Sequence, residues 1–507
     1  MICTLFVGHK MGYWDEIKSH LLFQAVVMTA FAAVILLIAI LLLREGRKIC
    51  LTRRLNTISN IVLALLFLTI WFLNNWISKE IATMLPADIS VVQGTAYQVA
   101  EGTDLGYQFY YSIYPNNIPI AWILGKLYAF ARINFGEHYN VPELFWFQVE
   151  CVLFSATGFF ICLSVKKLTK NIMATGIAFV ISFFLVCLSP WKTAPYTDGF
   201  GILFPVLAIY CYLSYKEAKS DVGRLISIGC AILFAMIGGF IKPNIYLVVM
   251  AIVAVELIDT IKKKKTLCYV VAEIVMVAVL GFGAVKARDA ILGDMGLEFN
   301  KEMSASWQHY FCMGLNEDTT GGWNGDDSSI FAIEQYQTKT VRNHYELLKG
   351  FERIKERGLW GSLSFYLKKM VMVFDDGTFG WSTEVISIDN YQPIDSHSHW
   401  TVLLREYFRP NAGHLIFTNT IMQVIWMFCL MGIPGIIARQ KEEHLILAMS
   451  FLGVFFYQLL FEARARYLFV FLPLLIVVAV CGMDEYAKGG MRGRLKALWF
   501  GKRKEMN

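Results

Sequence analysis

The sequence predicts an all-α polytopic membrane protein of about eleven transmembrane helices, and three observations carry that expectation. The 507-residue chain is 56% hydrophobic and only 17% charged, with a mean hydropathy of +0.50, whereas soluble domains carry nearer one quarter charged residues. Apolar runs of about twenty residues recur along it, long enough to cross a hydrocarbon layer in which every backbone polar group must be satisfied within the helix. The formal charge of +6 is concentrated in the short connectors between those runs. That is the positive-inside pattern of a membrane protein rather than the basic face of a nucleic-acid binder.

The residues before the first run hold Lys10, Asp15, Glu16 and Lys18, so the chain is expected to keep its first apolar segment as an anchor instead of a cleaved signal. Spans are expected at 21–43, 56–78, 141–165, 171–189, 199–215, 225–241, 244–260, 266–285, 413–437, 444–461 and 467–483. The basic connectors at 44–54, 166–170, 216–224, 262–265 and 439–441, with the tail at 488–504, are placed in the cytoplasm. Alternation then puts the amino terminus outside and the carboxyl terminus in the cytoplasm. One apolar segment, YYSIYPNNIPIAWILGKLYAFA at 110–131, would break the alternation if it crossed. Its Tyr and Trp content and its interrupting Pro and Lys fit an amphipathic helix at the outer surface instead.

The chain thus divides into a membrane bundle over 1–285 containing an external loop with surface helices at 79–140, an external region over 286–412, membrane helices over 413–483 and a basic tail over 484–507. The 11 cysteines form no CxxC pair. Most, such as Cys151, Cys162, Cys187, Cys211 and Cys230, lie in apolar segments and read as small core residues.

Chemistry is expected where charged residues gather at helix mouths, because desolvating them is costly. Four such places fall on the external side: Asp88 in PADISVVQG, Asp198 in PYTDG, Lys242 in FIKPN, and Arg464 and Arg466 in FEARARY. Singly, each reads as a cap, a solvated group or a snorkelling side chain. Together, carboxylates beside guanidinium and ammonium groups suit an enzyme that holds a phosphate-bearing lipid and deprotonates an acceptor.

The order of these elements resembles the polytopic glycosyltransferases of the GT-C fold, particularly bacterial relatives of the protein O-mannosyltransferases and aminoarabinose transferases. In that group a membrane helix is followed by a loop with an early catalytic carboxylate and by surface "jaw" helices, one of which starts at a Tyr-Pro element. Here Asp88 is followed by AYQVAEGTDLGYQFYYSIYPNN. A second acid in the next external loop, a basic residue after a later helix and an Arg-rich turn before a late helix correspond to Asp198, Lys242 and ARARYLFVFLPLL. The resemblance implies that Asp88 is the general base. It also implies that Asp198, Lys242, Arg464, Arg466 and Tyr467 bind the phosphate and sugar of a polyprenyl-phosphate-linked donor, and that Tyr114, Asn116 and Asn117 line the jaw at its entrance. The acceptor would be an envelope polymer, glycolipid or protein. Members of the group often carry a second acid beside the first, whereas Ile89 and Ser90 follow Asp88. That leaves one carboxylate and weakens, without closing, a divalent-metal role. A flippase or transporter for lipid-linked sugars, or a polymerase, is the competing expectation.

Four further motifs read as structural. NEDTTGGWNGDDSS at 316–329 lacks EF-hand spacing and reads as a surface loop, with acceptor recognition as its second use. His397 and His399 could offer two imidazoles to a metal but read as a solvated loop. Asp375 and Asp376 suggest a turn, and Gly238 and Gly239 close helix packing.

Overall fold

A computed structural model describes residues 21–81, 87–136, 142–263, 268–374, 376–381, 399–402, 404, 417–429 and 442–488, and no strand occurs among them. Eight helices among these residues are long and apolar enough to cross a membrane. They run as α1 (Leu21–Gly46), α2 (Arg53–Ile81), α6 (Glu143–Thr169), α7 (Ile172–Ser182, extended by a wide π turn and a tight 3-10 turn to Thr193), α8 with α9 (Thr197–Gly201 and Leu203–Glu217), α10 (Asp221–Ile241), α11 (Tyr246–Lys263) and α12 (Cys268–Met295). These meet the first eight expected spans in order. The last three correspond to α15 (Phe417–Cys429), α16 (Glu442–Leu460) and α18 (Leu472–Ala487), which are shorter. Much of the ninth expected span, His397, Asp375, the residues before Leu21 and the tail after Lys488 lie outside the described residues.

Burial separates the inner helices from the outer ones. Within its most apolar stretch Val270–Met295 is only 11% buried, against 67% for that of Thr197–Glu217. The peripheral spans expose Val34, Leu37 and Leu41 on α1, Leu65 and Phe72 on α2, and Val279 and Phe282 on α12. A continuous apolar surface of this kind is what lipid covers. The centre is held by α18, whose residues are almost all buried and which packs on α1, α6, α7, α9 and α16. Gly238 and Gly239 allow α10 to close on its neighbours: a Cβ at Gly239 would stand 2.3 Å from the Tyr246 ring, and one at Gly238 would stand 2.7 Å from Phe204.

One end of the bundle collects the basic connectors. Asn171 caps α7 through Met173, and its amide donates to the Leu43 carbonyl at 3.0 Å and to Asp484 at 2.9 Å. Lys166 donates to the Asn56 carbonyl and to Asn60. Lys167 and Lys170 flank Glu217 at 2.7 and 2.8 Å, and Lys216 pairs with Glu256. Connectors far apart in sequence therefore meet on one face.

At the opposite end, the segment expected as a single surface helix over 110–131 is broken. Pro115 starts a tight turn, so α4 (Gln108–Ile113) and α5 (Ile118–Phe135) form instead. α5 is not among the eight candidate spans. It lies against α3 (Asp88–Glu101) through Ala121, Leu124 and Gly125, where a Cβ on Gly125 would reach within 2.7 Å of Val99.

A cap of irregular turns joins α13 (Trp307–Gly314) to α14 (Lys339–Phe374) over this end. The NEDTTGGWNGDDSS segment is not a solvated loop throughout. Asp327 is buried, with Arg353 and Lys349 at 2.8 Å and an Asn316 amide at 2.8 Å. Burial by itself would raise the Asp327 carboxyl, but the hydrogen bonds from Arg353, Lys349 and Asn316 override it and hold it well below the usual carboxylate range. The pair stabilises the cap fully above pH of about 4, and this contribution drains away as pH falls below the ordinary aspartate value. Asp327→Asn strands two partly buried cations and should lower stability at pH 7 by about 3 kcal/mol. Thermal melts should show that gap shrinking between pH 4 and pH 2; a gap independent of pH would contradict the assignment.

Candidate functional site

The end of the bundle opposite the basic connectors opens into a cavity of about 920 Å³ between the α3–α5 hairpin, the mouths of α8, α10 and α18, and the cap. Asp88, Tyr114, Asn116, Asn117, Lys242, Arg464, Arg466 and Tyr467 all line it. Asp198 stands behind Lys242 and Arg466, bonded to the first at 2.5 Å and 3.7 Å from the second.

Asp88 is the first residue of α3, and the chain enters it through Ala87 at φ 58, ψ −137. A positive φ at a residue with a side chain is strained, and such strain persists only where surrounding structure imposes it. The Asp88 carboxylate accepts a hydrogen bond from the Tyr110 hydroxyl at 3.1 Å. Tyr110 accepts from the Asn117 amide at 2.6 Å, and the Asn117 carbonyl accepts from the Tyr196 hydroxyl and the Asn116 amide, both at 3.0 Å. Burial, reinforced by nearby Asp88, pushes both phenols, Tyr110 and Tyr196, well above their usual range. They stay protonated, so each donor in the series points toward Asp88.

The cationic wall begins where that series ends. The Arg466 guanidinium lies 5.2 Å over the Tyr196 ring, and the Lys242 ammonium 5.2 Å from the Tyr467 ring. Asp198 is 1% exposed and bridges these two cations. The PYTDG turn brings it there because Gly199 packs on α6: a Cβ at that position would be 1.9 Å from Glu150 Oε1. Glu462 forms a second centre on the wall, accepting from the Tyr467 hydroxyl at 3.0 Å with Arg464 Nε at 3.6 Å. Trp191, Tyr310, Trp323 and Tyr457 complete an aromatic lining.

Glu462, Tyr110 and Tyr196 were not singled out by sequence reasoning. Glu462 and Tyr196 belong to FEARARY and PYTDG, the motifs that supply Arg464 and Asp198, so proximity in the chain was an available signal. Tyr310 had none: it reaches the cavity only because the cap folds over the bundle.

The cap grips the turn that bears the arginines. The Glu462 amide donates to the Tyr310 carbonyl at 2.7 Å, and the Ala463 amide to the Gly321 carbonyl at 2.9 Å. Gly321 sits at φ +81, and a Cβ on Gly314 would stand 2.3 Å from the Phe461 backbone, so both glycines are required by close approach. Lys369, fully buried, donates to the carbonyls of Gly314, Leu459 and Phe461 at 2.6, 3.0 and 2.7 Å. The Asp-Gly motif braces the other wall. Asp376 accepts from the Thr378 and Gly380 amides at 2.8 and 2.7 Å, and the Trp191 indole donates to the Phe379 carbonyl at 3.1 Å. Among the described residues, no three His, Cys, Asp or Glu side chains come together as a metal site; His399 packs on Trp400.

Lys369→Met leaves three buried carbonyls without their shared donor and should cost about 3 kcal/mol. A melting temperature in detergent equal to that of the unsubstituted protein would show that Lys369 does not hold the arginine turn.

Neither the curated proteins nor the solved structures contain a match to the chain. A family model described as a conserved hypothetical integral membrane protein matches residues 13–487. That stretch runs from before α1 through the end of α18 and includes the cap and every residue of the cavity. The chain belongs to this family of integral membrane proteins.

Proposed function

We propose that this membrane protein is a glycosyltransferase that moves a sugar from a polyprenyl-phosphate-linked donor to an envelope acceptor at the outer membrane face. The observation that carries the reading is that Asp88 lines the same cavity as Lys242, Arg464 and Arg466. The concentration of basic connectors at the opposite end supports a cytoplasmic placement for that end and an external one for the cavity.

In this reading the three cations receive the donor phosphate, the arginines as planar forks and Lys242 as a point charge. Asp198 holds Lys242 and Arg466 in place. The aromatic lining offers stacking surfaces to sugar rings, and Tyr114, Asn116 and Asn117 stand at the entrance. The acceptor hydroxyl bonds to the anomeric carbon as its proton passes to Asp88. The bond from that carbon to the phosphate oxygen breaks, and polyprenyl phosphate leaves with the electron pair. Tyr110 fixes the orientation of the Asp88 carboxylate through its hydrogen bond.

A carrier for lipid-linked sugars is the second reading. It is favoured by Glu150, a carboxyl wholly buried within α6 against the PYTDG turn, since ionisable groups inside spans often mark transport paths. Mass spectrometry of lipid-linked sugars and envelope glycans, after a membrane-impermeant reagent has modified the outer leaflet of intact cells, separates the two readings. Deletion cells should accumulate a polyprenyl phosphosugar at the outer face and lose the matching glycan decoration. Accumulation confined to the inner face would favour the carrier. Asp88→Asn should leave the deletion phenotype unrescued, with transfer down about 10²- to 10⁴-fold. Tyr110→Phe, which removes one hydrogen bond to a charged group, should slow transfer about tenfold. Full rescue by Asp88→Asn would refute its role as the base.

A further inference from the structure

The long helix α14 changes character at Gly358, whose φ of 62 and ψ of −172 interrupt the helical backbone. Before the kink, Arg353 and Lys349 serve the charged interior of the cap, while Leu348 and Phe351 are exposed on the outer side. After it, the sequence LWGSLSFYLKKMVMVF is apolar on two sides. Phe365 and Val373 are buried against the protein. On the other side Leu359 and Trp360 are 80% and 78% exposed, and Leu363 and Leu367 follow at helical spacing at 50% and 37%. A helix with both sides apolar requires an apolar medium on the side that the protein leaves uncovered.

The far end of this half-helix lies against the membrane bundle. Lys369 bonds to the carbonyls of Leu459 and Phe461 at the end of α16, and the Phe374 ring lies 5.6 Å from Phe455 and 5.1 Å from Trp426, deeper along the same spans. Neighbouring residues of α16, Phe456 and Leu460, are themselves exposed apolar side chains on the surface that lipid covers. The half-helix that carries the uncovered stripe therefore ends against a span whose own outer side chains face lipid. Its Trp, and the flanking Lys355 and Lys368, are residue types that favour the membrane interface.

We infer that the post-kink half of α14 is an interfacial anchor. Its Leu359–Trp360–Leu363–Leu367 stripe lies in the leaflet on the cavity side and ties the cap to the bilayer. The occupant of this surface is lipid: acyl chains against the stripe and anionic headgroups against the lysines. The inference stands on packing alone and does not depend on the reaction proposed above.

Spin labels placed singly at Leu359→Cys and Leu363→Cys, in a background whose native cysteines are replaced by serine or alanine, test it with the full chain in vesicles of phosphatidylethanolamine and phosphatidylglycerol. Collision rates with oxygen and with a water-soluble nickel chelate report the surroundings of each label. The expected oxygen-to-nickel ratio is several-fold above that of an exposed cap control, Glu352→Cys, and close to that of the lipid-facing control Phe456→Cys. A ratio equal to the Glu352→Cys value would place the stripe in water. Exclusion of both reagents would mean that protein covers it. Either outcome overturns the inference. Brominated phospholipids provide a second reading that needs no label: they should quench the unsubstituted protein more than Trp360→Phe, and equal quenching of the two would also overturn it.

Discussion

The buried carboxylate of Asp198, held between Lys242 and Arg466, is the interaction on which the cavity depends. Each partner comes from a different part of the chain: the start of α8, the end of α10, and α17 (Ala465–Phe469) just ahead of the central helix α18. Unpaired, any of the three would carry a large desolvation cost at the membrane end of a bundle. Paired, they fix three helix mouths relative to one another. The cations remain on the cavity wall, with a counter-charge behind them rather than in front. Such an arrangement holds positive groups together without filling the space that an anion would enter.

The cap completes this constraint from the other side. The turn carrying Glu462 and Arg464 connects two apolar helices, and the amides of Glu462 and Ala463 and the carbonyls of Leu459 and Phe461 bond outside those helices. Tyr310, Gly321 and Lys369 supply their partners. The Asp327 cluster does the same for the cap's own turns. Nearly every charged side chain buried in the cap therefore bonds to backbone or to an opposite charge. The region folds over the cavity as a braced wall, and Trp323 and Tyr310 enter the lining from it.

The fold class and the order of spans were legible in the sequence because both follow from local properties: run length, and the placement of Lys and Arg between runs. The gathering of Asp88, Lys242, Arg464 and Arg466 was foreshadowed by the same alternation, which puts every second connector on one side. Other features were hidden because they arise from tertiary packing. Pro115 breaks the segment locally, but the folding of α5 back along α3 depends on tertiary packing. The burial of Asp327 depends on Arg353 and Lys349, more than twenty residues away in the chain. Tyr110 looked like one aromatic residue among several in a jaw segment; only the fold joins it to Asp88 on one side and Asn117 on the other.

Asp88 and the cations lining the same cavity are proposed to act on one substrate, and a transfer reaction with purified components is the direct test. Lipid extract from deletion cells supplied with labelled sugar provides the donor pool, and envelope material from the same cells provides the acceptor. The purified protein should move label from the lipid to the envelope fraction and release polyprenyl phosphate in equal amount, while correctly folded Asp88→Asn protein should do neither. Transfer by Asp88→Asn at the unsubstituted rate, or no transfer by the unsubstituted protein, would contradict the account.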